Sequence, residues 1–143
     1  MKIEEVKFPV VALARSSAIT VYESKELLTK CFNRALANGY FENLFIIDSN
    51  CLGIEVMNAE KIGTVGGLWG YDIFLDQTIR VKLLLNNTVE QLSLDEVKNK
   101  ILSTINENRS FWSSGESVAI IQSKITSARN MLDLINILSH LLN

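Results

Sequence analysis

The hydrophobic period of this chain changes once, near residue 90, and that change limits the folds open to it. Before it, apolar residues recur at every second position. In "TIRVKLLL", Ile79, Val81, Leu83 and Leu85 face one way while Arg80 and Lys82 face the other, as in a half-buried strand. After it they recur at helical spacing: Val97, Ile101 and Ile105, then Val118, Ile121 and Ile125, then Leu134, Ile135, Leu138, Leu141 and Leu142. A run of strands followed by a run of helices predicts an α+β fold, an antiparallel sheet with helices against one face or end.

The strand half reads as two hairpins plus further strands. In "VKFPVVALA", Val6, Phe8, Val10 and Ala12 alternate with Lys7, Pro9 and Val11. Pro9 has no amide hydrogen for a ladder, which places this strand at an edge or its start at a bulge. "RSS" separates it from "AITVY", where Ile19 and Val21 share a face, giving the first hairpin. "NLFIID" and "IEVM" make the second through "SNCLG", with Gly53 at its bend and Asp48 capping its own turn. "YDIFL" adds another strand ahead of "TIRVKLLL". One helix is inserted early: Ser24 caps "KELLTKCFNRALANGY", whose stripe is Leu27, Leu28, Cys31, Phe32, Ala35 and Leu36, and Asn38-Gly39 supplies a left-handed stop.

The helical half is marked by caps. Ser93 and Glu96 form a capping box, and Leu92 and Val97 occupy the positions of a hydrophobic staple. Ser114 or Ser117 caps the next helix, and Asn130 with Asp133 caps the last. About three C-terminal helices are therefore expected on the sheet. With 143 residues, 48% of them hydrophobic and a single proline, the chain can bury roughly 70% of its unfolded surface. One compact domain over residues 1–143 is expected.

Charge and residue supply exclude several functions. The net charge is −2, and positive and negative side chains are evenly spread along the chain, so no basic stripe is offered to phosphates and no nucleic-acid partner is expected. No stretch approaches the roughly 18 apolar residues of a membrane span. Cys31 and Cys51 lack CxxC spacing and are expected as reduced thiols in the cytoplasm. Cys31 is expected to be shielded on the helix stripe, and Cys51 to be reactive in its turn. The single histidine, His140, suits the end of the last helix; without a second one no histidine zinc site can be assembled, and a Ser-His-Asp triad would need His140 itself as base on a fraying tail. No metal or other cofactor is expected, and the oligomeric state is monomer or homodimer.

"GTVGGLWGYD" sets Trp69 and Tyr71 among four of the seven glycines. No lysine follows them as a phosphate loop requires, and the next segment is a strand rather than a helix. Two readings remain: Trp69 plugs the sheet edge, or Trp69 and Tyr71 anchor a partner beside Asp72 and Asp76. "RSFWSSGES" poses the same choice for Phe111 and Trp112, which either drop into the junction of helices and sheet or share a recognition surface with Trp69.

The helical part, with "LDEVKNKIL", "FWSSGES" and "ARNMLDLINILSHL", resembles the C-terminal part of small bacterial immunity proteins of polymorphic toxin systems. The resemblance implies a cytoplasmic, non-enzymatic protein that binds a cognate toxin domain and blocks it, with no catalytic residues to carry over. The candidate partner-binding residues are Trp69, Tyr71, Asp72, Asp76, Phe111 and Trp112. The alternative is a small-molecule-binding or enzymatic α+β domain with a carboxylate site near Tyr71, Asp72 and Asp76.

Overall fold

The computed structural model describes residues 1–64, 77–112 and 117–142. The fold is α+β, an antiparallel curled sheet with an early helical segment and C-terminal helices. Among the described residues the strands are β1 (Val10–Leu13), β2 (Ile19–Tyr22), β3 (Lys30–Phe32), β4 (Phe45–Ile47), β5 (Leu52–Thr64), β6 (Thr78–Leu85) and β7 (Glu90–Gln91). Their order is β2-β1-β4-β5-β6-β3, and β7 also pairs with β5. The helices are α1 (Lys25–Leu28), α2 (Asn33–Ala37), α3 (Leu94–Glu107), α4 (Arg109–Trp112), α5 (Val118–Thr126) and α6 (Met131–Leu142). None of them is long and apolar enough to cross a membrane.

At β1 and β4 the sheet is buried on both sides, and the two sides hold different cores. Successive side chains of a strand point to opposite faces. Val11 and Leu13 of β1 and Ile47 of β4 accordingly meet Val97, Ile101 and Ile105 of α3 and the buried residues of α5 and α6. Val10, Ala12 and Ile46 face the other way, into a second core with Leu28, Phe41, Leu44 and the inner residues of β5 and β6. Strand β5 makes that second core possible. Its first residues lie between β4 and β7, and its remainder runs along β6, with register irregularities between Val56 and Asn58 and between Lys61 and Gly63. An extra residue in one strand bends it and increases its twist, so β6 and β3 curl back over β1 and β4.

The helical half follows its caps. The Ser93 hydroxyl accepts from the Glu96 amide at 3.1 Å, and the Glu96 carboxylate accepts from the Ser93 amide at 3.2 Å. Leu92 and Val97 lie in one core, as a staple requires. Ser117 caps α5, and Asn130 accepts from the amide of Asp133 at 2.8 Å ahead of α6. Lys98 of α3 donates to the carbonyls of Thr126 and Ala128 at the end of α5, where a cation suits the helix dipole.

Three expectations are corrected. The strand after Pro9 is not an edge: β1 lies between β2 and β4. Pro9 precedes the ladder, and its carbonyl accepts from the Ser49 hydroxyl at 2.7 Å, so its missing amide hydrogen takes nothing from the sheet. The single early helix is instead α1, β3 and α2. Its cap stands, with the Leu27 amide on Ser24, and so does its stop. The Gly39 amide bonds the Leu36 carbonyl and the Tyr40 amide bonds the Ala35 carbonyl, with Gly39 at φ 77°, which is a Schellman ending. Between these ends Lys30–Phe32 pairs with Thr78–Arg80. Strand partners on β6 outweigh the modest helix propensity of Thr29, Cys31 and Phe32.

The third correction concerns Gly53, which lies inside β5 and not at a bend. The left-handed residue of that turn is Cys51, at φ 62°. A side chain at Gly53 would put its Cβ 2.4 Å from Cζ of Phe45 and 3.2 Å from Cδ1 of Leu92. The Phe45 ring lies over the glycine, and Lys100 Nζ stands 4.8 Å from the ring centre. Gly53→Ala should therefore displace the ring and lower stability by about 1–3 kcal/mol, measured as a shift of the urea midpoint at unchanged slope.

Candidate functional site

Of the residues proposed from sequence, Trp69, Tyr71, Asp72 and Asp76 lie outside the described residues. Phe111 and Trp112 are both in α4, with their rings edge to face at 5.5 Å and 89°, but they part at the surface. Trp112 is 7% exposed and packs in the helical core, whereas Phe111 is 61% exposed. Trp112 is thus a core residue and cannot serve as a surface anchor. Its indole N–H has no hydrogen-bond partner among the described residues.

The other groups with chemistry have structural work. Asp48 is fully buried and accepts from the amides of Lys7, Asn50 and Leu52 at 3.3, 2.8 and 3.0 Å. This is the self-capped turn its sequence indicates, tied as well to the segment before β1. The hydroxyls of Tyr22 and Tyr40 are 2.6 Å apart. Burial first, then the neighbouring Tyr40, pushes the Tyr22 phenol far up, so it stays neutral and joins β2 to the segment after α2. Burial, then the Asp48 charge, raises the Cys51 thiol. That disfavours the thiolate of a cysteine that is half-buried in its turn. Cys31 lies in β3, half-buried against the curled core, rather than on a helix stripe. His140 is exposed at the end of α6, with Nδ1 2.8 Å from the Asn136 carbonyl.

The outward face of β3, β6 and β5 has no such explanation. The alternation of β6 turns Arg80, Lys82 and Leu84 out while Ile79, Val81, Leu83 and Leu85 fill the curled core. Lys30 is directly opposite Arg80, and Glu60 is opposite Lys82. Like charges directly opposed across a sheet are destabilising. Among the described residues, Lys30, Arg80 and Lys82 form no ion pair. Met57 and Ile62 are the two residues of β5 skipped by its register. Each falls at a bulge, which re-aims the side chain, and both stand exposed. With Phe32 and Leu84 they make four large apolar side chains, 52–63% exposed, on strands that also carry Lys30, Arg80, Lys82 and the anion Glu60.

A cleft of about 710 Å³ runs beside this face, between β6 and the chain's first residues and α1. Strand β3 covers β6 only at Thr78–Arg80, and the Val81 amide then donates to the Thr29 carbonyl at 2.9 Å. From Lys82 to Leu85 that side of β6 has no strand beside it among the described residues. Lys2, Lys25, Arg80 and Lys82 line the cleft together with Glu4 and Glu26. Lys25 and Glu4 pair at 3.0 Å, and that hydrogen bond holds the Glu4 carboxyl below its usual range.

The sequence points to part of this site. Leu84 in "TIRVKLLL" is a large apolar residue on the strand's polar face, a visible signal. Met57 and Ile62 give none, because the bulges that turn them out depend on how β5 meets β6. No known protein family, no curated protein and no solved structure matches the chain.

Proposed function

We propose that the chain is a non-enzymatic protein-binding module of the immunity type, a cytoplasmic protein that binds a cognate bacterial toxin and blocks it. The observation that supports binding is the outward face of β3, β6 and β5. A sheet face that meets only water carries polar residues in alternation. Here Phe32, Met57, Ile62 and Leu84 stand out from it between Lys30, Arg80 and Lys82. Exposed apolar groups among polar ones mark interaction surfaces, and Met, Phe and Arg are enriched where proteins meet. The cations select a partner with an acidic surface and raise its association rate. The toxin assignment comes from the resemblance of the helical half.

This reading expects a toxin gene beside this chain's own, and its product is the test partner. Co-expression should rescue growth, and the purified pair should form a complex. Ile62→Asp combined with Leu84→Asp should leave the melting temperature nearly unchanged, since both sites are exposed. Affinity should fall by at least about thirtyfold, or 2 kcal/mol, and protection should be lost. Full protection by this variant would remove the face from the function, and a neighbouring toxin that the intact protein neither binds nor blocks would end the immunity reading.

A further inference from the structure

We infer that the open edge of β6 binds its partner by strand addition, taking an extended acidic segment alongside Lys82–Leu85. This rests on the protein-binding reading and specifies the mode and chemistry of the contact. Backbone direction carries the first part. The Asn86 amide donates to the Glu55 carbonyl of β5, while the Val81 amide donates away from β5, to Thr29. Amides alternate direction along a strand, and both register irregularities lie on β5, not on β6. The N–H and C=O of Leu83 and the N–H of Leu85 therefore point into the cleft. No backbone partner meets them there among the described residues. Such a row of unpaired groups is a template for another strand, and main-chain bonds to it provide affinity that side-chain pockets then make specific.

Charge carries the second part. The Lys25–Glu4 pair satisfies itself, which leaves Lys2, Arg80 and Lys82 in the cleft against Glu26 alone. A second copy pairing edge to edge would bring another Arg80 and Lys82 to a site already in positive excess. An acidic segment neutralises them. Leu84 sets this edge apart from one blunted by charge alone, because it adds an exposed apolar side chain next to Lys82. Strand geometry then sets the pattern of the guest. Guest residues on the outward face lie beside Lys82 and Leu84, with Arg80 diagonal to the first of them, and those between lie over Leu83 and Leu85, at the rim of the curled core. The fitting segment alternates acidic and apolar residues.

The probe is a blocked hexapeptide of alternating glutamate and valine, added to the full chain. Amide hydrogen exchange followed by NMR should slow about tenfold or more at Leu83 and Leu85. The same peptide with alternate backbone amides methylated should fail to slow it, and the lysine-valine peptide should bind at least about tenfold more weakly. Arg80→Glu, which leaves Lys2 and Lys82 against two carboxylates, should abolish that charge preference. Because Lys30 is opposite Arg80, this variant relieves a like-charge pair and should remain folded. Unchanged exchange at Leu83 with the glutamate peptide, or equal binding by its methylated form, overturns strand addition. The toxin reading is decided separately by its own growth assay, in which no peptide takes part, so either can fail without the other.

Discussion

Replacing Asp48 by alanine should lower stability by about 3–6 kcal/mol, because three backbone amides lose their acceptor at once. The carboxylate is fully buried and binds the amides of Lys7, Asn50 and Leu52. These donors belong to the approach to β1, to the turn and to the first residue of β5. Each of these hydrogen bonds is part-buried, so an amide that loses its acceptor costs about 1–2 kcal/mol. The same turn holds Cys51 at φ 62° through its amide on the Asp48 carbonyl, so it has little freedom to rearrange. Asp48→Asn keeps the shape and one accepting oxygen but turns an NH2 group towards a donor, and about half the loss is expected. Urea unfolding of the three proteins at neutral pH checks this. A loss below about 1 kcal/mol for the alanine variant would show that water replaces the carboxylate at all three amides.

The adjacent aromatics of α4 should behave oppositely. Trp112→Ala empties a site in the helical core and should cost about 3–5 kcal/mol. Trp112→Phe should cost about 1–2 kcal/mol: it keeps most of the ring volume, and the N–H it deletes has no partner among the described residues. Phe111→Ala should cost no more than about 1.5 kcal/mol, since that ring is mostly exposed and an edge-to-face contact such as the one it makes with Trp112 is worth about 0.5–1.5 kcal/mol. If Phe111 takes part in partner binding, its loss will appear in affinity more than in melting temperature. A Trp112→Ala protein with undiminished stability would contradict its place in the core.

Local signals in the sequence were legible where a residue's neighbours in sequence are also its partners in space. The Ser93–Glu96 box, the Asp48 turn, the Asn38-Gly39 stop and the alternation of Ile79, Val81, Leu83 and Leu85 are of this kind, and each forms as its residues predict. The misreadings involve distant partners. Lys30–Phe32 has helical spacing but pairs with Thr78–Arg80. Gly53 has the composition of a bend, yet it is required by the Phe45 ring across the strand pair. Pro9 suggests an edge, but it stops one residue short of a central strand. The candidate site follows the same rule. Arg80, Lys82 and Leu84 are readable as an outward row, while the bulges that add Met57 and Ile62, and the short β3 that leaves the edge open, depend on tertiary pairing.

That short third strand also sets how the molecule comes apart. The β3–β6 ladder joins Lys30–Phe32 to Thr78–Arg80, segments nearly fifty positions apart, over only three residue pairs, whereas α3, α5 and α6 bury their apolar stripes against one another and against β1 and β4. Contacts of long range close late in folding and carry the larger loop entropy. The β3 ladder should accordingly open at lower free energy than the helical side, detectable by native-state exchange. A strand bound to Lys82–Leu85 would follow β3 end to end along the same side of β6. It would act as a latch on that weaker ladder, so partner binding should raise the opening energy of β3 without touching it.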